Sequence, residues 1–151
     1  MNTDTEPSPP PVPEPDQQPD GIDDARQMLL SIAHAELGNA DPKKYWLDVQ
    51  GVDPGKKYAW CAVFYLWCLR QSGLCDWHWP LYFSQKLRVT KYPQPGDLAY
   101  FDHPYQHHAM VQRVNGIDVH LIQGNFGLPG HVAESVCLKV KPVYYSIESL
   151  L

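Results

Sequence analysis

The chain has 151 residues, of which 44% are hydrophobic and 19% are charged, and its formal net charge is −5. This length and apolar content predict one domain with one hydrophobic core. The acidic balance gives no electrostatic reason to expect a nucleic acid or an anionic membrane as partner. No apolar run approaches a membrane span, and residues 1–20 lack the basic start and apolar block of a secretory signal. We therefore expect a protein made in the cytoplasm that reaches any external target, such as the periplasm, by another route.

The predicted elements begin after a proline-rich, acidic segment, residues 1–21, which we expect to be a disordered tail because it has little to bury. Residues 22–151 form the predicted folded domain. A helix is predicted from Asp23 or Asp24 to Gly38, followed by a short helix around Lys43–Leu47. A second long helix is predicted from about Trp60 to Ser72, before Gly73.

The second half of the chain changes to the period of β-strands. The sequence Asn115-Gly116 lies between two apolar runs and predicts a tight hairpin. Helices first and an antiparallel sheet second predict an α+β fold, with the sheet packed against the helix that begins near Trp60. The predicted strands are Asp97–Phe101, His107–Val114, Asp118–Ile122 and Val136–Tyr145.

Cys61 lies in the first turn of the second long helix. The free amides and the dipole of a helix amino end favour a thiolate, which is the form that attacks a carbonyl carbon. The backbone N–H of Cys61 is also a candidate for stabilising the resulting oxyanion. The alternative is a buried core thiol, the reading we favour for Cys68 and Cys75. The cysteine spacing does not fit a zinc site, and we predict no metal and no cofactor.

A general base has to come from elsewhere in the fold. His107 and His108 open a predicted strand, and because neighbouring residues of a strand point to opposite faces, only one of them can face Cys61. Gln123 and Asn125 end the next strand and are candidates to orient the imidazole. The aromatic segment 77–83 would form either a wall of the substrate cleft or core packing. Residue types alone leave the choice of histidine open.

Four segments resemble the CHAP domain (cysteine, histidine-dependent amidohydrolase/peptidase) of the NlpC-like, papain-like superfamily. Residues 58–69 are similar to its nucleophile helix and residues 95–101 to the turn and strand that follow. Residues 107–111 and 122–125 are similar to the strands that carry the histidine and the third catalytic residue. The resemblance implies catalytic roles for Cys61, for His107 as base, for Gln123, where many members have glutamate, and for Asn125, and substrate contacts by Tyr58, Trp60 and His108.

The resemblance also implies a function. It indicates a cysteine amidase or endopeptidase that hydrolyses peptidoglycan peptides through a thioester, as a phage endolysin or as an interbacterial amidase toxin. A toxin would have a cognate immunity protein as partner, and we otherwise expect a monomer without nucleic-acid or membrane partners. Two alternatives stay open: a cysteine amidase for another peptide or polyamine conjugate, and a non-catalytic module that binds wall peptides, which Gln123 in place of glutamate favours.

Overall fold

The computed structural model describes residues 20–55 and 57–151 of the chain. The predicted tail, residues 1–21, therefore lies almost entirely outside the described residues. The predicted helices are present, although the first one begins earlier than predicted. None of the helices in the described ranges combines the length and apolar composition needed to cross a membrane. The helices are α1 (Asp20–His34), α2 (Lys43–Gln50) and α3 (Cys61–Gln71).

Six strands form one antiparallel sheet in the order β1-β6-β2-β3-β4-β5. The α+β prediction is confirmed, since the helices come first and α3 packs on the sheet. The predicted strand Val136–Tyr145 is wrong, because a turn containing Pro142 divides it into β5 and β6. The strands are β1 (Arg88–Thr90), which was not predicted, β2 (Leu98–Phe101), β3 (His107–Asn115), β4 (Asp118–Phe126), β5 (His131–Leu138) and β6 (Val143–Ser146).

Helix α3 lies at the centre of the core and is buried on almost every side. One face of the sheet packs against it through Leu98, Met110 and Ile122, and this face joins the core formed by the three helices. The opposite face of the sheet carries a second apolar cluster, which includes Ala109 and Val111. The alternation along β3 therefore decides which of its residues can reach the start of α3.

A buried ion pair ties α1 to the turn before β2. Arg26 Nη1 lies 3.0 Å from Asp97 Oδ1 and also donates to the carbonyl oxygen of Pro95 at 2.6 Å. The side chains of Arg26 and Asp97 are only 4% and 1% exposed. The Asp97 carboxylate also accepts the backbone N–H groups of Gln94 at 2.9 Å and Ile147 at 3.1 Å. One carboxylate thus joins the first helix, the turn and the carboxyl end of the chain.

Candidate active site

Cys61 is the first residue of α3, as the sequence predicted. The preceding Trp60 is 2% exposed and packs on the ring of Tyr45, with centroids 5.7 Å apart, and this contact fixes where the helix begins. The first backbone amide to bond within the helix is that of Phe64, which donates to Trp60. The earlier N–H groups of Cys61 and Ala62 point at the Cys61 sulfur instead.

His108 is the histidine that faces Cys61. Its Nδ1 lies 3.8 Å from Sγ of Cys61, and it shares the face of β3 that packs on α3. His107 lies on the opposite face, between Phe101 and Phe126, with ring centroids 6.1 and 6.0 Å away. The prediction that His107 faces Cys61 is therefore wrong, because the pleat of β3 turns it away from the helix. His108, predicted to contact substrate, occupies that position.

Burial controls the protonation of both groups. Loss of hydration raises the pKa of the Cys61 thiol, while the backbone N–H groups of His108, Ala62 and Cys61 act in the opposite direction. Burial also lowers the pKa of His108 to about 4, and the neighbouring His107 adds to this shift. The expectation that the helix end lowers the thiol pKa overall is wrong, because desolvation outweighs the amides. At neutral pH the pair is a thiol and a neutral imidazole.

The predicted third member of the site is not assembled around this pair. Gln123 is 1% exposed and lies on the far face of β4, where its amide donates to the Ala133 carbonyl at 2.8 Å. Its oxygen accepts the hydroxyl of Ser135 at 3.1 Å. Asn125 has a φ of 55°, and its side-chain oxygen is turned toward Gly130. Neither side chain hydrogen-bonds to the imidazole that faces the nucleophile, so the prediction that they orient it is wrong.

Gly124 is the residue of β4 that faces the start of α3. Continuing the antiparallel register of β3 and β4 places it level with His108. A β-carbon at Gly124 would lie 2.7 Å from Cβ of Phe64 and 2.8 Å from the ring of Trp60. No side chain fits there without moving the helix, so the position that could present a polar partner to His108 is occupied by bare backbone.

A cleft of about 690 Å³ opens beside His108. Trp79, Tyr82 and Phe83 line it, and Trp79 and Phe83 also pack in the core, so that a role of these residues as a wall for substrate stays a prediction. Trp77 instead packs against the core. The remaining lining residues are Pro80, Leu81, Ser84, Gln85, Lys86, Leu98, Tyr100, Gln106 and Tyr145.

The other predicted substrate contacts fall in two different environments. Trp60 is buried beneath the start of α3, so the prediction that it contacts substrate is wrong. Tyr58 is 50% exposed in the loop before the helix, and a contact from it stays a prediction. One neighbour of His108 was missed as part of the site: Tyr100, its cross-strand partner, which the strand register would have revealed. Phe83, from the aromatic segment 77–83, is the other ring beside His108.

The other sulfur and metal-ligating side chains add nothing to this site. All four cysteines are free thiols, with Cys68 buried and Cys75 and Cys137 half-buried. Across residues 20–55 and 57–151, no group of three or more His, Cys, Asp or Glu side chains is placed to hold a metal ion.

Helices packed on one face of an antiparallel sheet, with a cysteine at the start of the central helix facing a strand histidine, define the papain-like class of fold. Within that class the family model of the CHAP domain matches residues 53–125. This segment, just under half of the chain, thus matches the CHAP domain, a cysteine- and histidine-dependent amidohydrolase/peptidase domain. The matched segment contains both Cys61 and His108.

Two other comparisons were made. No curated protein matches the chain. A solved structure titled "The crystal structure of Ly7917" is similar at 15% sequence identity with a TM-score of 0.49. The similarity covers 80% of this chain and 61% of that chain, so this chain spans less than two thirds of the other's length.

Proposed function

We propose that the protein hydrolyses an amide bond in the peptide part of peptidoglycan, with Cys61 as nucleophile and His108 as general base. The observation that carries the proposal is the 3.8 Å approach of His108 Nδ1 to Cys61 Sγ inside the CHAP segment. The short gap lets one proton pass from sulfur to nitrogen as the sulfur attacks. The proposal replaces His107 with His108 as the base.

The mechanism begins from the neutral pair. His108 Nδ1 takes the thiol proton as Sγ of Cys61 attacks the carbonyl carbon, and the new imidazolium then gives a proton to the leaving amine. The thioester that remains is hydrolysed by water, which His108 activates from the same nitrogen. Backbone N–H groups at the start of α3, including that of Ala62, support the negative charge on sulfur and on the developing oxyanion.

The cleft beside His108 supports a peptide substrate that carries carboxylates. Among the described residues that line it, Lys86 is the charged side chain at neutral pH, and no aspartate or glutamate lines it. Tyr82 is 73% exposed and offers an open aromatic surface. Peptidoglycan stem peptides carry free carboxylates and aliphatic chains, which fit a cationic and aromatic wall.

Digestion of purified peptidoglycan tests this proposal. The wild-type protein should release new amino groups and defined muropeptide or peptide fragments by mass analysis, and Cys61→Ala should release none. Cys137→Ala is the matched control, because that thiol is half-buried on β5 at the far side of the sheet. Full activity in Cys61→Ala would overturn the mechanism, and activity only on an unrelated peptide or polyamine conjugate would replace the substrate.

A second candidate function is a non-catalytic module that binds wall peptides. It is favoured by two observations: the raised pKa of Cys61, and the lack of a polar partner for His108 among the described residues. Co-sedimentation with insoluble peptidoglycan separates the two. A module would pellet with the wall and release no amines, and Cys61→Ala would pellet equally well.

The proposed activity serves either a phage endolysin or an interbacterial amidase toxin. We propose that the protein acts on the wall after delivery from outside or across the inner membrane. Production in a Gram-negative host, with and without an added export signal, tests this. We expect lysis only from the exported protein, and protection by a co-produced neighbouring gene product would identify a toxin and its immunity protein.

A further inference from the structure

A base that works by proton transfer needs a fixed ring. Cysteine–histidine enzymes achieve this with a polar side chain that accepts from the second ring nitrogen of the histidine. Among the described residues, the hydrogen-bond contact of the His108 side chain is the one from its Nδ1 to Cys61 Sγ, and no residue accepts from its Nε2. Gly124 occupies the facing position on β4, and a β-carbon there would clash with Phe64 and Trp60, which leaves no room for a side chain. Something other than a polar acceptor must hold this imidazole.

Two aromatic rings lie against the imidazole of His108. The Tyr100 centroid is 5.1 Å away with the planes inclined by 59°, and the Phe83 centroid is 5.9 Å away with an inclination of 57°. Both separations lie within the range of about 4.5–7 Å at which rings attract each other. Each ring limits rotation of the imidazole away from Cys61.

Both rings are fixed by the fold. Tyr100 is the direct cross-strand partner of His108 in the β2–β3 ladder. Phe83 is 4% exposed and packs edge-on against Tyr65 of α3, with centroids 5.4 Å apart and planes inclined by 81°. The rings therefore connect the base to the sheet on one side and to the nucleophile helix on the other.

We propose that Tyr100 and Phe83 are positioning residues that hold His108 against Cys61 by ring packing, in place of a polar third catalytic residue. The proposal rests on the proposed function for its kinetic part. The two rings do not touch the reacting atoms, and they act through the histidine. The two rings also cover part of the imidazole, which reduces its hydration and favours the neutral base that the mechanism needs.

The variants Tyr100→Phe, Tyr100→Ala and Phe83→Leu separate ring packing from other roles. Tyr100→Phe keeps the ring and should stay within about twofold of the wild-type kcat. Tyr100→Ala and Phe83→Leu should lower kcat roughly tenfold to 100-fold, because small misplacements of a reacting group cost that much, whereas a loss of cleft contacts alone would raise KM and leave kcat unchanged. Tyr92→Ala is the matched control, because Tyr92 is 77% exposed and lies outside the cleft.

Titration of His108 by NMR is the second readout, and it needs no substrate. The pKa of His108 should stay near 4 in Tyr100→Phe and should rise toward 6.5 in Tyr100→Ala and Phe83→Leu as water reaches the ring. Wild-type pKa and kcat in both ring-loss variants would overturn the inference, and so would a Tyr100→Phe variant as impaired as Tyr100→Ala. If no amide is cleaved by any form, the proposed function fails while the NMR titration still decides the positioning role.

Discussion

His107 and His108 are neighbours in the chain, yet the sheet separates their chemistry. His108 lies on the helix face beside a cysteine, and it lines an open cleft. His107 lies on the far face between two phenylalanines, and its Nε2 is buried without a hydrogen-bond partner among the described residues. Burial lowers the pKa of both rings. A lowered pKa therefore does not distinguish the proposed base, His108, from His107, which packs in the core. What distinguishes His108 is that it lies beside the Cys61 thiol.

The same separation of the two faces bears on the polar residues of β4, Gln123 and Asn125, which take no part in the Cys61–His108 pair. Gln123 shares the far face with His107 and is held there by Ala133 and Ser135. The motif of a histidine and an amide on adjacent strands is thus present on the face that has no nucleophile. The face with the nucleophile has a histidine and a glycine instead.

The largest expected effect is on activity, and it tests the two histidines against each other. His108→Gln should lower kcat for peptidoglycan hydrolysis by about 10²- to 10⁴-fold, which is the usual contribution of a general base. His107→Gln should lower it by less than about tenfold, since that ring touches neither the thiol nor the cleft. The measurement is the rate of amine release. A loss confined to His107→Gln would reverse the assignment.

The next effect is on stability as a function of pH. Free histidine has a pKa of 6.5, while that of His108 is about 4 in the fold. Between these values the unfolded chain binds a proton that the folded chain does not, so the free energy of unfolding should fall as the pH drops from about 6.5 to about 4. The loss from this one group should be about 3 kcal/mol.

Urea unfolding of the wild type and of His108→Gln at several pH values measures this loss. The variant should show a smaller fall across the same window, because glutamine takes up no proton. The buried Asp97, whose pKa is raised, acts in the opposite direction in both proteins and cancels in the comparison. Identical pH profiles would mean that His108 is hydrated.

A smaller effect is expected at the glycine that faces α3. Gly124→Ala places a methyl group against Phe64 and the ring of Trp60, and we expect a loss of about 2 kcal/mol from overpacking. Gly73→Ala is the control: its φ is +79° and nothing lies near the added carbon, so its cost of about 1 kcal/mol is purely conformational. Thermal or urea unfolding measures both. Equal losses would contradict the close contact.

The smallest effect is expected for Gln123→Glu, which introduces the glutamate that many CHAP domains have at this position. Gln123→Glu should not raise kcat, because the side chain is on the face away from Cys61. It should cost about 1–2 kcal/mol of stability, since a carboxylate cannot donate to the Ala133 carbonyl. Gln27→Glu on the exposed surface of α1 is the control and should be nearly neutral. A gain in kcat from Gln123→Glu would restore the site predicted from the sequence.

Local patterns were sufficient to predict the helices, the hairpin and the nucleophile. Helical spacing and a glycine stop indicated α3, and the Asn115-Gly116 turn fixed the β3–β4 hairpin. The division of Val136–Tyr145 into two strands was missed, because the apolar residues continue on both sides of the turn. The position of Cys61 could be predicted from the sequence because it depends only on where α3 begins.

The sequence could not decide which of His107 and His108 faces Cys61, because that depends on how β3 packs against α3. Residues 109–111 are all buried, so β3 has no polar side to show which face meets the helix. A shift of one residue exchanges His107 and His108, and both choices look reasonable in the sequence. Likewise, only the closeness of α3 reveals that Gly124 can carry no side chain. The resemblance identified the family but could not supply either fact.

The ion pair between Arg26 and Asp97 bears on which fragment of this chain can be transferred to another protein as a folded unit. The segment that matches the family, residues 53–125, contains Asp97 but excludes Arg26 and the Ile147 amide, which both hold that carboxylate. It also excludes β6, which lies between β1 and β2 in the sheet. A fragment limited to the matched residues would leave a charge without its counterion and β1 without its pairing strand, and β2 and β4 would each lose one of two neighbours. The portable unit for grafting or fusion therefore begins with α1 and runs through the end of the chain.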